Sequence, residues 1–316
     1  MTFSNTRLFC AMFLAAGIGL QVAPASAQGP GAAAPDFSKV EIKAEKIAGN
    51  FYTLRGFSPD FYPSPNGRPS GTIGVLAGPD GVFMVDAQFA PLTEKVVAAI
   101  KQIQPDGRIR FLVNTHVHAD HTSGDENFGK LGVTIIAREN LRRRLAMPAR
   151  VGGPMPAAVG LPMMTFDTPM TIRMNGEEVR IIPIPRAHTD GDVIVQFVNA
   201  DVIMTSDLFR ADNAYPNMDI GNGGSLAGML DGLSAVADLA GAHTTIVPGH
   251  GPIVTWQAVL AQRNMIITVR DRVAALVKEK KTQEQVLAAG VTADFDKTGL
   301  QNPTRFVTQL FQELSK

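Results

Sequence analysis

A single cysteine, Cys10, occurs in 316 residues, and it falls within the first 27. Once that segment is removed the chain has no thiol, which excludes disulfides, a cysteine nucleophile and thiolate metal ligands in any redox compartment. A metal site must then be built from nitrogen and oxygen. Charge is also sparse: 18% of residues are charged, 29 basic against 29 acidic, with no basic cluster denser than Arg142-Arg143-Arg144. That balance leaves no electrostatic footprint for nucleic acid. The 45% hydrophobic share excludes a wholly disordered chain, and the length suffices for one large core or two small ones.

Long hydrophobic runs are absent apart from Leu8 to Val22, which follows Arg7 and precedes Ala25-Ser26-Ala27. A positive start, an apolar stretch and small residues at its end describe a secretory signal peptide cleaved after Ala27. The run is shorter than the roughly 18 residues of a membrane span. The bulky residues Arg7-Leu8-Phe9 before Cys10 do not suit a lipoprotein cleavage box. A periplasmic or secreted protein, free of the membrane after processing, is the expectation. Residues 28–36 are Gly/Ala/Pro-rich and read as a flexible leader, 37–280 as the main domain, and 281–316 as a C-terminal helical extension broken near Gly290 and Gly299.

Short β-type runs cover 40–46, 51–54, 72–76 and 82–86, the last two flanking the turn Gly78-Pro79-Asp80-Gly81. Between the second and third runs, Phe57 to Ser70 carries four prolines with Phe57, Phe61 and Tyr62, a candidate lid or substrate wall. Apolar residues at Val96, Val97, Ala99, Ile100 and Ile103 predict a helix over 92–103, and 109–113 a buried strand. The second half repeats this order, with strands at 171–174, 178–184, 193–198 and 202–204, a helix at 226–239, a strand at 244–247 and a long helix at 257–280. Strand meanders that each precede helices fit an α+β four-layer αββα sandwich better than a doubly wound sheet. Met147, Met155, Met163 and Met164, in a Pro/Gly-rich stretch, are read as fillers of core gaps, with an apolar substrate groove as the alternative.

Histidine is scarce, at six residues, yet three of the six fall in Thr115-His116-Val117-His118-Ala119-Asp120-His121. A loop leaving a buried strand can aim His116 and His118 to one side and Asp120 and His121 to another, as two adjacent metal ions require. Neutral imidazole suits zinc, and carboxylate oxygen accepts zinc, iron or manganese.

The segment from Asn114 to Asp125 resembles the His-x-His-x-Asp-His signature loop of the metallo-β-lactamase superfamily. The remaining positions of that pattern are matched by His188 in Ala187-His188-Thr189, Asp207 in Ser206-Asp207-Leu208, and His250 in Pro248-Gly249-His250-Gly251. The resemblance implies that His116, His118 and His188 hold one metal, Asp120, His121 and His250 a second, and that Asp207 bridges them. It implies two Zn2+ per chain, with iron or manganese as alternatives, and hydrolysis of a carbonyl by a metal-bridging hydroxide that Asp120 orients. Two divalent cations, two carboxylates and a hydroxide leave one positive charge, which favours an anionic small-molecule substrate. Asp207 matches the bridging aspartate of hydroxyacylglutathione hydrolases and lactonases, whereas the export signal suits a β-lactamase.

The reading is therefore a periplasmic dinuclear zinc hydrolase of a strained or activated carbonyl: a β-lactam, lactone or ester. A β-lactamase proper, an iron-containing oxidoreductase of the same fold and a metal-holding ligand-binding protein are the alternatives. Asp86 resembles the family aspartate that supports the metal loop, and Thr115 and Thr189 are further supporting candidates. Tyr215 is a candidate catalytic donor to an oxyanion, a buried tyrosine with a satisfied hydroxyl being the other reading. His243 matches no ligand position and is read as structural.

Overall fold

The computed structural model describes residues 36–58, 71–148 and 153–316. The expected signal peptide, all but the last residue of the leader, and most of the candidate lid (59–70) lie outside the described residues.

The first sheet runs in chain order: β1 (Glu41–Ala48), β2 (Phe51–Phe57), β3 (Ile73–Leu76), β4 (Val82–Val85), then β5 (Ile109–Val113), β6 (Thr134–Arg138) and β7 (Met164–Phe166). It is antiparallel as far as β4 and parallel from β4 onwards. The parallel part needs crossovers, which are α1 (Thr93–Ile103), the short α2 (Ala119–Thr122) and α3 (Asp125–Lys130), and α4 (Glu139–Leu145).

The second sheet contains β8 (Met170–Met174), β9 (Glu177–Pro183), β10 (Val193–Phe197), β11 (Val202–Ser206), β12 (Thr245–Pro248) and β13 (Val254–Thr255), ordered β13-β12-β11-β10-β9-β8. Helix α5 (Leu226–Leu239) is the crossover between the parallel strands β11 and β12. The chain ends in α6 (Trp256–Lys278), α7 (Gln283–Ala288), α8 (Ala293–Asp296) and α9 (Pro303–Leu314). The breaks among these last helices contain Gly290 and Gly299, at φ +63° and +89°, where a left-handed backbone favours glycine.

Period-2 alternation assigns each strand residue to a layer. From the first sheet Phe83, Val85 and Val113 point inward to meet Val193, Val195, Phe197, Val202 and Met204 of the second. Their neighbours Val82, Met84 and Leu112 point outward onto Val96, Ala99 and Ile100 of α1. In the second sheet Ile194, Ile203 and Ile246 face outward onto α5, α6 and α9 through Leu233, Ile266 and Phe306. These three apolar interfaces define the four layers α/β/β/α.

The C-terminal helices belong to the same outer core, since Val286, Val291, Phe306, Val307 and Leu310 are buried within it. The methionines differ from the core-filling expectation: Met147, Met155, Met163 and Met164 are 65%, 70%, 76% and 44% exposed. Met164 begins the edge strand β7, which packs beside α4 and still leaves Met163 and Met164 open to solvent.

Candidate metal centre

Strand direction gathers the cluster. Strand β4 runs parallel to β5, and β9, β11 and β12 run parallel to one another, because β10 is antiparallel to both of its neighbours. The residues following β4, β5, β9, β11 and β12 therefore emerge at the C-terminal edges of the two sheets. Asp86, the loop with His116 and His118, then His188, Asp207 and His250 occupy those positions. Bonds between the sheets join the two edges: Val193 N–H donates to the Thr115 carbonyl at 3.0 Å, and Thr72 N–H to the Gly249 carbonyl at 2.8 Å.

All seven residues of the expected ligand set come together. His116, His118, His188 and Asp207 form one group and Asp120, His121 and His250 a second, the ligand atoms of each lying within 4.8 Å of one another. Asp207 faces both groups. Its Oδ1 is 3.5 Å from His121 Nε2 and 3.3 Å from His250 Nε2, and its Oδ2 is 3.8 Å from His188 Nε2. Gly249 makes this approach possible, because a Cβ there would stand 2.1 Å from Asp207 Oδ1.

The outward nitrogen of each ring identifies what the inward one offers. His118 Nε2 lies 2.7 Å from Asp219 Oδ2, His188 Nδ1 2.7 Å from the Asn217 carbonyl, and His121 Nδ1 2.7 Å from Asp86 Oδ2. All three partners are acceptors only, so the ring nitrogen donates in each case. The Thr115 N–H and hydroxyl both donate to Asp86 at 2.7 Å, Ser206 Oγ stands 2.5 Å from that hydroxyl, and His116 Nδ1 lies 3.1 to 3.2 Å from the pair.

In the neutral rings the inward nitrogens of His118, His121 and His188 therefore carry lone pairs. His118 Nδ1 faces His116 Nε2 at 3.1 Å and His188 Nε2 at 3.0 Å. His121 Nε2, His250 Nε2 and Asp207 Oδ1 are buried with no hydrogen-bond partner. Lone pairs converging this closely repel unless a cation lies between them, so the donor set fits metal ions.

The electrostatics of the two groups are opposite. Burial, reinforced by neighbouring histidines, holds His116 well below its ordinary pKa and His188 down to about 4. Burial also opposes charge on His121 and His250. On His121 it is outweighed by Asp120 and Asp86, which hold the pKa well above ordinary; on His250 Asp207 raises it to about 9. Asp207 itself, against its burial, is held well below the usual carboxylate range by His250 and Arg210.

Asp86 fulfils the expected supporting role, and Thr115 joins it. Thr189 instead bonds to Asp192 through its N–H and hydroxyl. Tyr215 is not brought to the cluster. Its ring is fully buried and stacks on Phe306 at 5.3 Å, and its hydroxyl donates to Asp296 Oδ1 at 2.8 Å, so it has no proton to offer a substrate. His243 is exposed and outside both groups. Sequence reasoning missed Asp219, Asn217 and Arg210, whose Nη1 donates to Asp207 Oδ2 at 3.1 Å. Nothing in their spacing points to the cluster.

Residues 66–250 match the metallo-beta-lactamase superfamily, and the chain belongs to it. No curated protein matches. Among solved structures, a metallo-beta-lactamase from Pontibacter korlensis superposes with a TM-score of 0.59 at 17% identity, over 72% of this chain and 99% of that one. A metallo-beta-lactamase from Hirschia baltica gives 0.57 at 18% identity, over 72% and 98%. Identities this low establish a shared fold.

Proposed function

We propose that the protein is an exported dinuclear zinc hydrolase of a strained or activated carbonyl in a small molecule, with esters and lactones preferred over β-lactams. The observation that carries this reading is the pair of inward lone-pair groups sharing the Asp207 carboxylate. When bound, two divalent cations supply Lewis acidity and lower the pKa of water to about 7.

The rest is assigned to the chain's own residues. Asp120 and His118 are 24% and 27% exposed at their side chains, whereas His116, His121, His188 and Asp207 are buried, so substrate enters on the side of the first two. Burial works against ionisation of Asp120, but His121 and His250 outweigh it and keep the carboxylate charged at neutral pH. An ionised carboxylate on the open face takes the proton of the attacking water and returns it to the leaving group. Arg210 withdraws negative charge from Asp207, which leaves a more positive field for an oxyanion and for an anionic substrate. The preference for esters and lactones follows the resemblance of Asp207 to the bridging aspartate of lactonases.

The test is metal analysis of the purified protein combined with a hydrolysis screen of aryl esters, acyl-homoserine lactones, thioesters and nitrocefin. Two zinc ions per chain and turnover of an ester or lactone, abolished by Asp120→Ala, is the expected result. Two metals with no hydrolysis in any class, or turnover that survives Asp120→Ala, refutes the proposal.

A further inference from the structure

The C-terminal helix α9 lies beyond residues 66–250 yet bonds to the segment that supports the three-histidine group. Gln309, half-buried in the second turn of α9, makes two bonds to one short segment. Its Oε1 accepts from Met218 N–H at 3.1 Å, and its Nε2 donates to Asn217 Oδ1 at 2.8 Å. That segment is the one that orients the ligands. The Asn217 carbonyl accepts His188 Nδ1–H at 2.7 Å, Asp219 N–H donates to the His188 carbonyl at 2.8 Å, and Asp219 Oδ2 accepts His118 Nε2–H at 2.7 Å.

Between β11 and α5 the backbone has no regular structure longer than the three-residue 3-10 turn Ile220–Asn222. Such a segment does not by itself hold a carbonyl in place to the roughly 0.5 Å that a ligand-orienting group requires. Helix α9 does, because it is itself fixed. Phe306, Val307 and Leu310 are buried, and Gln301 exchanges backbone bonds with Asn213 and Tyr215 at 2.8 and 3.0 Å.

We infer that Gln309 is a positioning residue for the three-histidine site. Through Asn217 it fixes the carbonyl that keeps the proton of His188 on Nδ1 and the lone pair of Nε2 turned toward the metal. The inference rests on the metal-centre reading above, and it makes the C-terminal extension part of the site rather than an appendage.

The experiment is a Co(II) titration of the full chain against a competing chelator, following the two binding events by visible absorption. It is run on wild type, Gln309→Ala, Asn217→Ala, the double variant and Gln309→Glu. Affinity at the three-histidine site is expected to fall about 10-fold in Gln309→Ala, with the Asp120/His121/His250 site unchanged. Asn217→Ala, which removes one of the two bonds, weakens the same site by a smaller factor, and the double variant is no weaker than Gln309→Ala. Gln309→Glu restores most of the affinity, because a carboxylate still accepts from Met218 N–H and the Asn217 amide can turn to donate to it.

Unchanged affinity in Gln309→Ala, equal weakening of both sites, or additive losses in the double variant overturn the inference. If Gln309→Ala does not fold, Asn217→Ala carries the same selective readout with α9 intact. A wild type that binds no Co(II) instead overturns the metal-centre reading itself.

Discussion

Asp86→Asn isolates the contribution of a single acceptor. Asp86 is 1% exposed and takes three bonds of 2.7 Å, from Thr115 N–H, the Thr115 hydroxyl and His121 Nδ1–H. Asparagine has the same shape, and its tolerance of the left-handed region suits the φ of +65° at this position, so backbone strain does not enter. The oxygen that replaces Oδ1 still accepts from Thr115 N–H. The amide that replaces Oδ2 now presents hydrogens to His121 Nδ1. Either two donors oppose each other, or His121 moves its proton to Nε2 and turns an N–H toward the site. In both cases His121 is lost as a ligand or bound at a penalty.

Removing the partner that orients a metal-binding histidine lowers metal affinity about 10- to 100-fold, or about 1.4 to 2.7 kcal/mol. The weakening should be greater at the Asp120/His121/His250 site, which loses a direct partner, than at the three-histidine site, where His116 meets Asp86 only through the Thr115 hydroxyl; the bias is opposite to that expected for Gln309→Ala. Stepwise zinc titration with a chromophoric chelator, with circular dichroism to verify folding, is the assay. Retention of both affinities within about threefold in a folded variant would refute the tautomer argument.

Two further substitutions test the scaffold. Phe197 joins the two sheets, with ring centroids 4.3 Å from Phe51 and 6.2 Å from Phe83. Phe197→Ala should lower the unfolding free energy by about 3–5 kcal/mol in a urea titration, and a loss under about 1 kcal/mol would mean that the inter-sheet core is not as described. Gly249→Ala places a methyl 2.1 Å from Asp207 Oδ1 and displaces that carboxylate, so it should reduce metal stoichiometry while leaving the circular dichroism spectrum unchanged. Full stoichiometry in that variant would show that Asp207 is not confined by the turn.

The fold was legible wherever periodicity had room to develop. Helix α1 declares itself by its apolar spacing, and β3 and β4, although wholly buried, by the Gly78-Pro79-Asp80-Gly81 turn between them. Strand β6 and helix α4 do not: β6 is nearly all buried with no hairpin turn to mark it, and α4 spans only two turns. The ligands were legible because four lie in a six-residue motif and the others follow strand ends. Asp219 was not, since it reaches His118 across 101 residues of sequence. Nor was Asn217, which acts through a backbone carbonyl that leaves no trace in side-chain pattern. Proximity in sequence misled at Tyr215. The chain turns at Asn213, with φ +59°, and Tyr215 N–H bonds to Gln301, which sends the ring into the helical layer instead of the site.

The opposed electrostatics of the two groups determine how metal ions and protons compete. Metal binds only the deprotonated imidazole, so any proton held at neutral pH must leave when the ion arrives. In the three-histidine group, His188 at about 4 and His116 well below ordinary are already neutral at pH 7, and filling it displaces no proton from either. In the second group, His250 at about 9 and His121, held well above ordinary, are protonated at pH 7 in the metal-free protein. Filling that site displaces both protons.

Affinity there should therefore climb more steeply as pH rises from 6 toward 9 than affinity at the first site. Titration calorimetry in buffers of different ionisation enthalpy separates the two events and counts the protons. More protons should be released at the second site than at the first. Equal release at both sites would mean that Asp86, Asp120 and Asp207 do not act on their histidines as their distances require.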